Sequence, residues 1–270
     1  MKNKWDLAEN IPEPTKRKVR QRCGFGCVVC GNAFYQYHHS TTKFNEAQEH
    51  NADEIVLLCY QHHGQVTNHL ASDEAVSEAA QNPKCLQLGY SSFKSFDESR
   101  NNIEVIAGTL KAINTKTLIQ VFGQPIFCID YPEYENAPFR VSAIFCDKVG
   151  NKSLIIEENE LKVFTKNWDA EFVGTTVTIR RAPRDIVLKL RIEARKPIVI
   201  EELNMLYEGV KIICKEGKQT SIEMPDGRYF QTTSGTIENC DVGIDVTKNG
   251  LQLINNCEKA YFESMKIGKR

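Results

Sequence analysis

The chain has 270 residues, a length that suits two domains better than one. Its formal net charge is −1 and its pI about 6.6, which excludes a global basic field, so any polyanion must be met by a local patch. There is no apolar run of about 18 residues and no secretory h-region, so the sequence predicts a membrane-free, soluble, cytoplasmic protein. In a reducing compartment its ten cysteines are expected to be metal ligands or buried thiols rather than disulfides.

Taken in chain order, residues 14–22 (PTKRKVRQR) predict a short basic helix with a proline in its first turn. The run 23–26 (CGFG) breaks it, and 27–32 (CVVCGN) reads as a tight turn. Residues 33–39 (AFYQYHH) alternate as a strand, and 40–54 read as a polar loop. Residues 55–59 (IVLLC) are a buried apolar run, followed by a loop or short helix over YQHHGQVTNH. The stretch 72–81 (SDEAVSEAAQ) has a Ser N-cap and early acids, and predicts a helix. Residues 82–100 lack periodicity and form the expected boundary between domains 1–95 and 96–270.

Beyond that boundary the chain becomes a series of short β-branched stretches separated by Pro, Gly, Asn and Asp, at the spacing of a sandwich. A further division near 200–215 is a secondary expectation. TIENCDVGIDV and LQLINNCEKAYF echo each other around Cys240 and Cys257, a pattern that would also suit a small β-solenoid. The segment 178–196 is locally basic, and it reads either as a DNA-facing sheet or as an ordinary polar face. The expected class is α+β, with a mostly-β second domain whose role could be recognition, regulation or homo-oligomerisation.

All six histidines lie between residues 38 and 69. Within and beside that window, Cys27-x2-Cys30 and Cys59-x2-His62 supply three thiolates and one imidazole, a closed tetrahedral set for structural Zn²⁺. Cys23, at C-x3-C spacing, fits the knuckle less well and is read as a non-ligand. Adjacent histidines on a helix diverge by roughly 100° and on a strand face opposite sides. The pairs His38-His39 and His62-His63 therefore predict divided labour, each member serving a different site.

The sequence GCVVCG…YHHSTTKFNEAQEHNADEIVLLCYQHH resembles the zinc-stabilised ββα-metal core of the HNH endonucleases over about residues 23–70. The resemblance implies an N-terminal zinc-stabilised ββα-metal nuclease domain that hydrolyses DNA phosphodiester bonds. It implies His39 as general base, and His38 and His63 as ligands of a catalytic divalent cation. Mg²⁺ is the expected ion on supply, whereas imidazole ligands favour Mn²⁺ or Ni²⁺. The family's Asn position is occupied by Glu54, with Asn51 three residues earlier. A glutamate there could orient His39 by accepting a hydrogen bond from its Nδ1, or reach the metal. Lys16, Arg17, Lys18, Arg20, Arg22 and Lys43 are the candidates for phosphate contacts. His50 and His69 read as structural or surface residues. Restriction or phage defence is the setting the family suggests. The alternative is a non-catalytic zinc module that binds nucleic acid or protein.

Overall fold

The computed structural model describes residues 2–94, 103–134 and 137–269. The boundary expected at residues 95/96 lies outside them. The chain divides into two units, Met1–Phe93 with Lys162–Phe172, and Lys94–Leu161 with Val173–Arg270. The first unit thus includes a segment drawn from deep within the β-rich sequence.

In the first unit, helix α1 spans Glu13–Cys23. A proline in its first turn, Glu13 at its start and Arg20 and Arg22 near its end all suit a helix. It stops at Gly24, whose φ of 70° lies in the left-handed region. Any side chain there would also press on Cys85, since a Cβ would lie 2.8 Å from the Cys85 Cβ. Strand β1 (Gln36–His39) pairs antiparallel with β2 (Ile55–Leu58), with His38 opposite Val56 and His39 opposite Ile55. The strand expected over 33–39 is shortened because its first residues bond elsewhere. Asn32 Oδ1 accepts from the Phe34 N–H, and the Ala33 N–H donates to the Ser92 carbonyl.

Every residue of β2 is buried. It forms the centre of a core with Ile11, Val19, Val28, Val66 and Val76. Helix α2 (Tyr60–Thr67) follows with no intervening residue beyond its N-cap, Cys59. Helix α3 (Asp73–Gln81) starts as predicted, with Ser72 Oγ accepting from the Ala75 N–H. The expected linker is partly ordered structure: α4 (Lys84–Leu88) and strand β3 (Tyr90–Lys94) occupy its first half. Five-residue elements such as these carry too little periodicity to be read from sequence.

The arginines of α1 hold the returning segment. Arg20 is fully buried and meets both oxygens of the buried Asp169, at 2.8 and 2.9 Å. It also donates to Glu13, Tyr37 Oη and Glu171. Arg17 lies over the Trp168 ring at 4.6 Å, with Asp169 at 3.5 Å. Arg22 donates to the carbonyls of Ala52 and Ile55, fixing the entry to β2.

The second unit contains strands and no helix among the described residues, which makes the class α+β with a large β-sheet region. Antiparallel hairpins dominate it, and Ile198–Ile200 pairs in parallel with Val105–Ala107. Region 200–215 is one hairpin, with Tyr207 opposite Val210. The solenoid expectation is corrected: the two echoing segments are the arms of one long hairpin, Ser234–Thr247 and Gly250–Glu263. Cys240 lies opposite Cys257 and is joined to it by a disulfide, so this pair departs from the expected free thiols. The similarity of the arms reflects cross-strand pairing rather than stacked turns. In the basic stretch, Lys189 and Arg191 both pair with Glu201, the arrangement of an ordinary polar face. No helix among the described residues is long and apolar enough to cross a membrane.

Removing one partner of a buried charge pair strands the other. Arg20→Ala is expected to lower stability by roughly 3–5 kcal/mol. Lys18→Ala, exposed on the same helix, should stay within about 0.5 kcal/mol. Urea denaturation of the full chain measures both.

Candidate metal centre and adjoining pocket

The first knuckle closes because Gly31 adopts φ 82° and its N–H reaches the Cys27 carbonyl at 2.9 Å. Gly26 must lack a side chain, since a Cβ would sit 2.7 Å from the Asn32 carbonyl. The Val28 N–H donates to the Leu57 carbonyl at 3.0 Å, tying the knuckle to β2. The second half-site follows β2 directly, with Cys59 capping α2 and His62 in its first turn.

These elements bring Cys27, Cys30, Cys59 and His62 together, with one ligand atom from each lying within 4.8 Å of the others. The Cys30 and Cys59 sulfurs are 3.8 Å apart, and His62 Nδ1 lies 3.1 Å from Cys59 Sγ and 3.5 Å from Cys27 Sγ. A tetrahedron with metal–sulfur bonds of about 2.3 Å has edges of roughly 3.8 Å, so the spacing fits Zn²⁺. The hydrogen bond from Cys30 pulls the Cys27 thiol down to about 5, against burial and with help from backbone N–H groups of Cys59, Cys30 and Val29. The donor, Cys30, is held up by the same bond. Cys23 stands outside the cluster, its thiol pushed up to about 11 by burial. Among the described residues this is the one group of three or more His, Cys, Asp or Glu side chains able to hold a metal.

A pocket of about 780 Å³, reached from the cluster through the neighbouring residue His63, is lined by His38, His39, His63, Lys16, Lys43 and Tyr37, together with Glu9–Ile11, Phe44 and Asn45. His38 and His63 meet edge to face at 5.1 Å. His38 Nε2 lies 3.1 Å from Asp73 Oδ1, and Lys43 Nζ lies 2.5 Å from Asp73 Oδ2. Burial opposes ionisation of Asp73, yet the hydrogen bonds from Lys43 and His38 hold its carboxyl below its ordinary value. A carboxylate only accepts, so His38 carries its proton on Nε2 and presents Nδ1 as the lone pair. The Thr67 hydroxyl donates to the His63 carbonyl and so accepts from His63 Nδ1, 3.5 Å away, which leaves Nε2 of that ring open.

His39 is half-buried, with Phe44 packed against it at 5.6 Å. Its Nε2 lies 3.3 Å from His50 Nδ1, and His50 Nε2 lies 2.8 Å from the Ala8 carbonyl. Burial first, then His50 and His38, lower the His39 pKa below 6.5, against a weaker opposing effect of Glu54. Burial and His38 lower the pKa of His63. The hydrogen bond expected between Glu54 and His39 is not made among the described residues. Glu54 accepts instead from Asn51 Nδ2 at 2.9 Å, and its carbonyl accepts from the Ser40 N–H. The cap residue Asn51 therefore holds Glu54 within the turn.

Of the basic candidates, Lys16 and Lys43 line the pocket, and Lys18 is exposed on α1. Arg17, Arg20 and Arg22 are committed to Trp168, Asp169 and backbone carbonyls, so the phosphate-contact expectation for these three is corrected to a structural role. His69 is exposed beyond the end of α2. Asp73 was legible only as the opening acid of a helix. His50 looked like a loop histidine, and the segment before α1 carried no motif at all.

One equivalent of zinc per chain is expected by elemental analysis. Cys27→Ser should lose the metal and the fold of the first unit, while Cys23→Ser should retain one equivalent. Comparison with protein-family models, with curated proteins and with solved structures returned no match. What the site does must be read from its own atoms.

Proposed function

We propose that the chain is a metal-dependent endonuclease of the HNH type, hydrolysing phosphodiester bonds in DNA. The observation that carries this reading is the shared pocket: three histidines and two lysines on one concave wall, one residue along the chain from a Cys/His cluster. A structural zinc site needs His62 alone, and gives no reason for His38, His39 and His63 to line a common pocket. The succession of β1, β2 and α2, with half-sites before and after, agrees with the resemblance in the sequence.

Hydrolysis requires a proton acceptor for the attacking water and positive charge for the phosphate oxygens. His39, with its pKa below 6.5, is neutral at physiological pH and can take the water's proton. Lys16 and Lys43 would meet non-bridging oxygens of the backbone. His38 and His63 offer nitrogen donors on adjoining rings, and Asp73 would orient His38 as an outer-shell carboxylate. A divalent cation held by these two residues would supply Lewis-acid stabilisation of the scissile phosphate and the leaving oxygen. Two imidazoles with water fit Mn²⁺ or Ni²⁺ by affinity and Mg²⁺ by supply.

The second reading is a non-catalytic zinc module, favoured by the Lys43–Asp73–His38 network, which engages two of the pocket's polar side chains internally. Plasmid nicking with Mg²⁺, Mn²⁺ or Ni²⁺ separates the two. His39→Ala is expected to lower cleavage by at least about a hundredfold while keeping its zinc. Lys16→Ala should weaken DNA binding at all sequences alike. Equal cutting by His39→Ala and wild type would sink the assignment.

The lowered His39 pKa also has a definite sign. The active form is neutral, so the midpoint of the acidic fall in rate is expected below pH 6.5. A pH–rate profile with its acidic midpoint above 6.5 would contradict His39 as the base.

A further inference from the structure

His50 has no role in the reading above, yet its hydrogen bonds fix what His39 can do. The Ala8 carbonyl can only accept, so His50 Nε2, at 2.8 Å, must carry a proton. In a neutral imidazole the other nitrogen is then an acceptor. His50 Nδ1 therefore accepts, and the group facing it at 3.3 Å, His39 Nε2, must be the donor. That leaves Nδ1 as the unprotonated nitrogen of His39.

The ring of His50 also packs against a neighbour. Phe44 stacks on it nearly parallel, at 9° and 6.1 Å, and also packs against His39. The loop that carries Phe44 is clasped from the other side. Asn3 Nδ2 donates to the carbonyls of Phe44 and Ala47, at 2.5 and 2.7 Å, while Asn3 Oδ1 accepts from the Trp5 and Leu7 N–H groups. The segment that supplies Asn3 also supplies Ala8.

We propose that His50 is a positioning residue: with the Ala8 carbonyl it locks His39 into the Nε2–H tautomer, so that Nδ1 is the nitrogen that accepts a proton. The Glu54 arrangement expected from the sequence would demand the opposite tautomer, with a proton on Nδ1. The proposal rests on the nuclease reading for its catalytic consequence, but not for the tautomer itself.

The test uses the full, zinc-loaded chain labelled with ¹⁵N-histidine, at about pH 8, where ordinary imidazoles are neutral. Long-range ¹H–¹⁵N correlation reads the tautomer of each ring. Wild-type His39 is expected to be protonated on Nε2. His50→Ala should lose this preference, and His50→Asn, whose Oδ1 can accept in place of Nδ1, should restore it. In plasmid nicking, His50→Ala should lower kcat by about tenfold to a hundredfold at unchanged KM, with His50→Asn recovering most of the rate. A wild-type His39 protonated on Nδ1, or a tautomer indifferent to His50→Ala, overturns the proposal. A chain that cuts no DNA but shows the predicted tautomers upholds the positioning role and refutes the nuclease reading.

Discussion

Three sulfurs and an imidazole nitrogen are drawn to within 4.8 Å of one another, and the first unit is organised by that convergence. Thiolates crowded this closely repel each other unless protons or a cation sit between them. The four residues come from two places, the turn before β1 and the start of α2, so a cation joining them would fix the two ends of the hairpin together. Once β2 is held between the half-sites, its ladder fixes β1, and with it the faces on which His38 and His39 emerge. The first turn of α2 then sends His62 to the cluster and its neighbour His63 to the pocket. Adjacent histidines with different destinations follow from helical geometry alone.

The cluster was legible because its logic is local: two short spacings, with ligand types that have few other uses together. The pocket was legible in part, since His38, His39 and His63 could be grouped by their positions around the cluster. What sequence could not supply was the outer layer. Asp73 and His50 reach their partners from 35 and 11 residues away, and neither sits in a pattern that announces it. The same limit misled the reading of the basic helix. Five cations among seven residues suggested a polyanion surface, yet Arg20 finds its counter-ion 149 residues along the chain. Charge counts record how many cations there are, and not which of them a distant acid has already claimed.

The β-rich sequence shows the reverse case. Its alternation was legible, and its partners were not, because period-2 patterns are identical in a sandwich, a meander or a solenoid. The echo around Cys240 and Cys257 was real, but similar segments suit each other as opposite arms of a hairpin as readily as they suit stacked turns. The two-residue turn at Lys248 and Asn249 decides the matter.

The return of residues 162–172 to the first unit sets an order of events during synthesis. A chain emerges from its N-terminus, so the cysteines, the histidines and α1 are all available early. Arg20 is not: its buried position is tenable only once Asp169 has been made. The pocket-bearing unit must therefore wait, incomplete, while most of the first half of its neighbour is translated. A fragment cut after β3 would be arrested at the same stage, with Glu13 but neither Asp169 nor Glu171 to receive the Arg20 guanidinium.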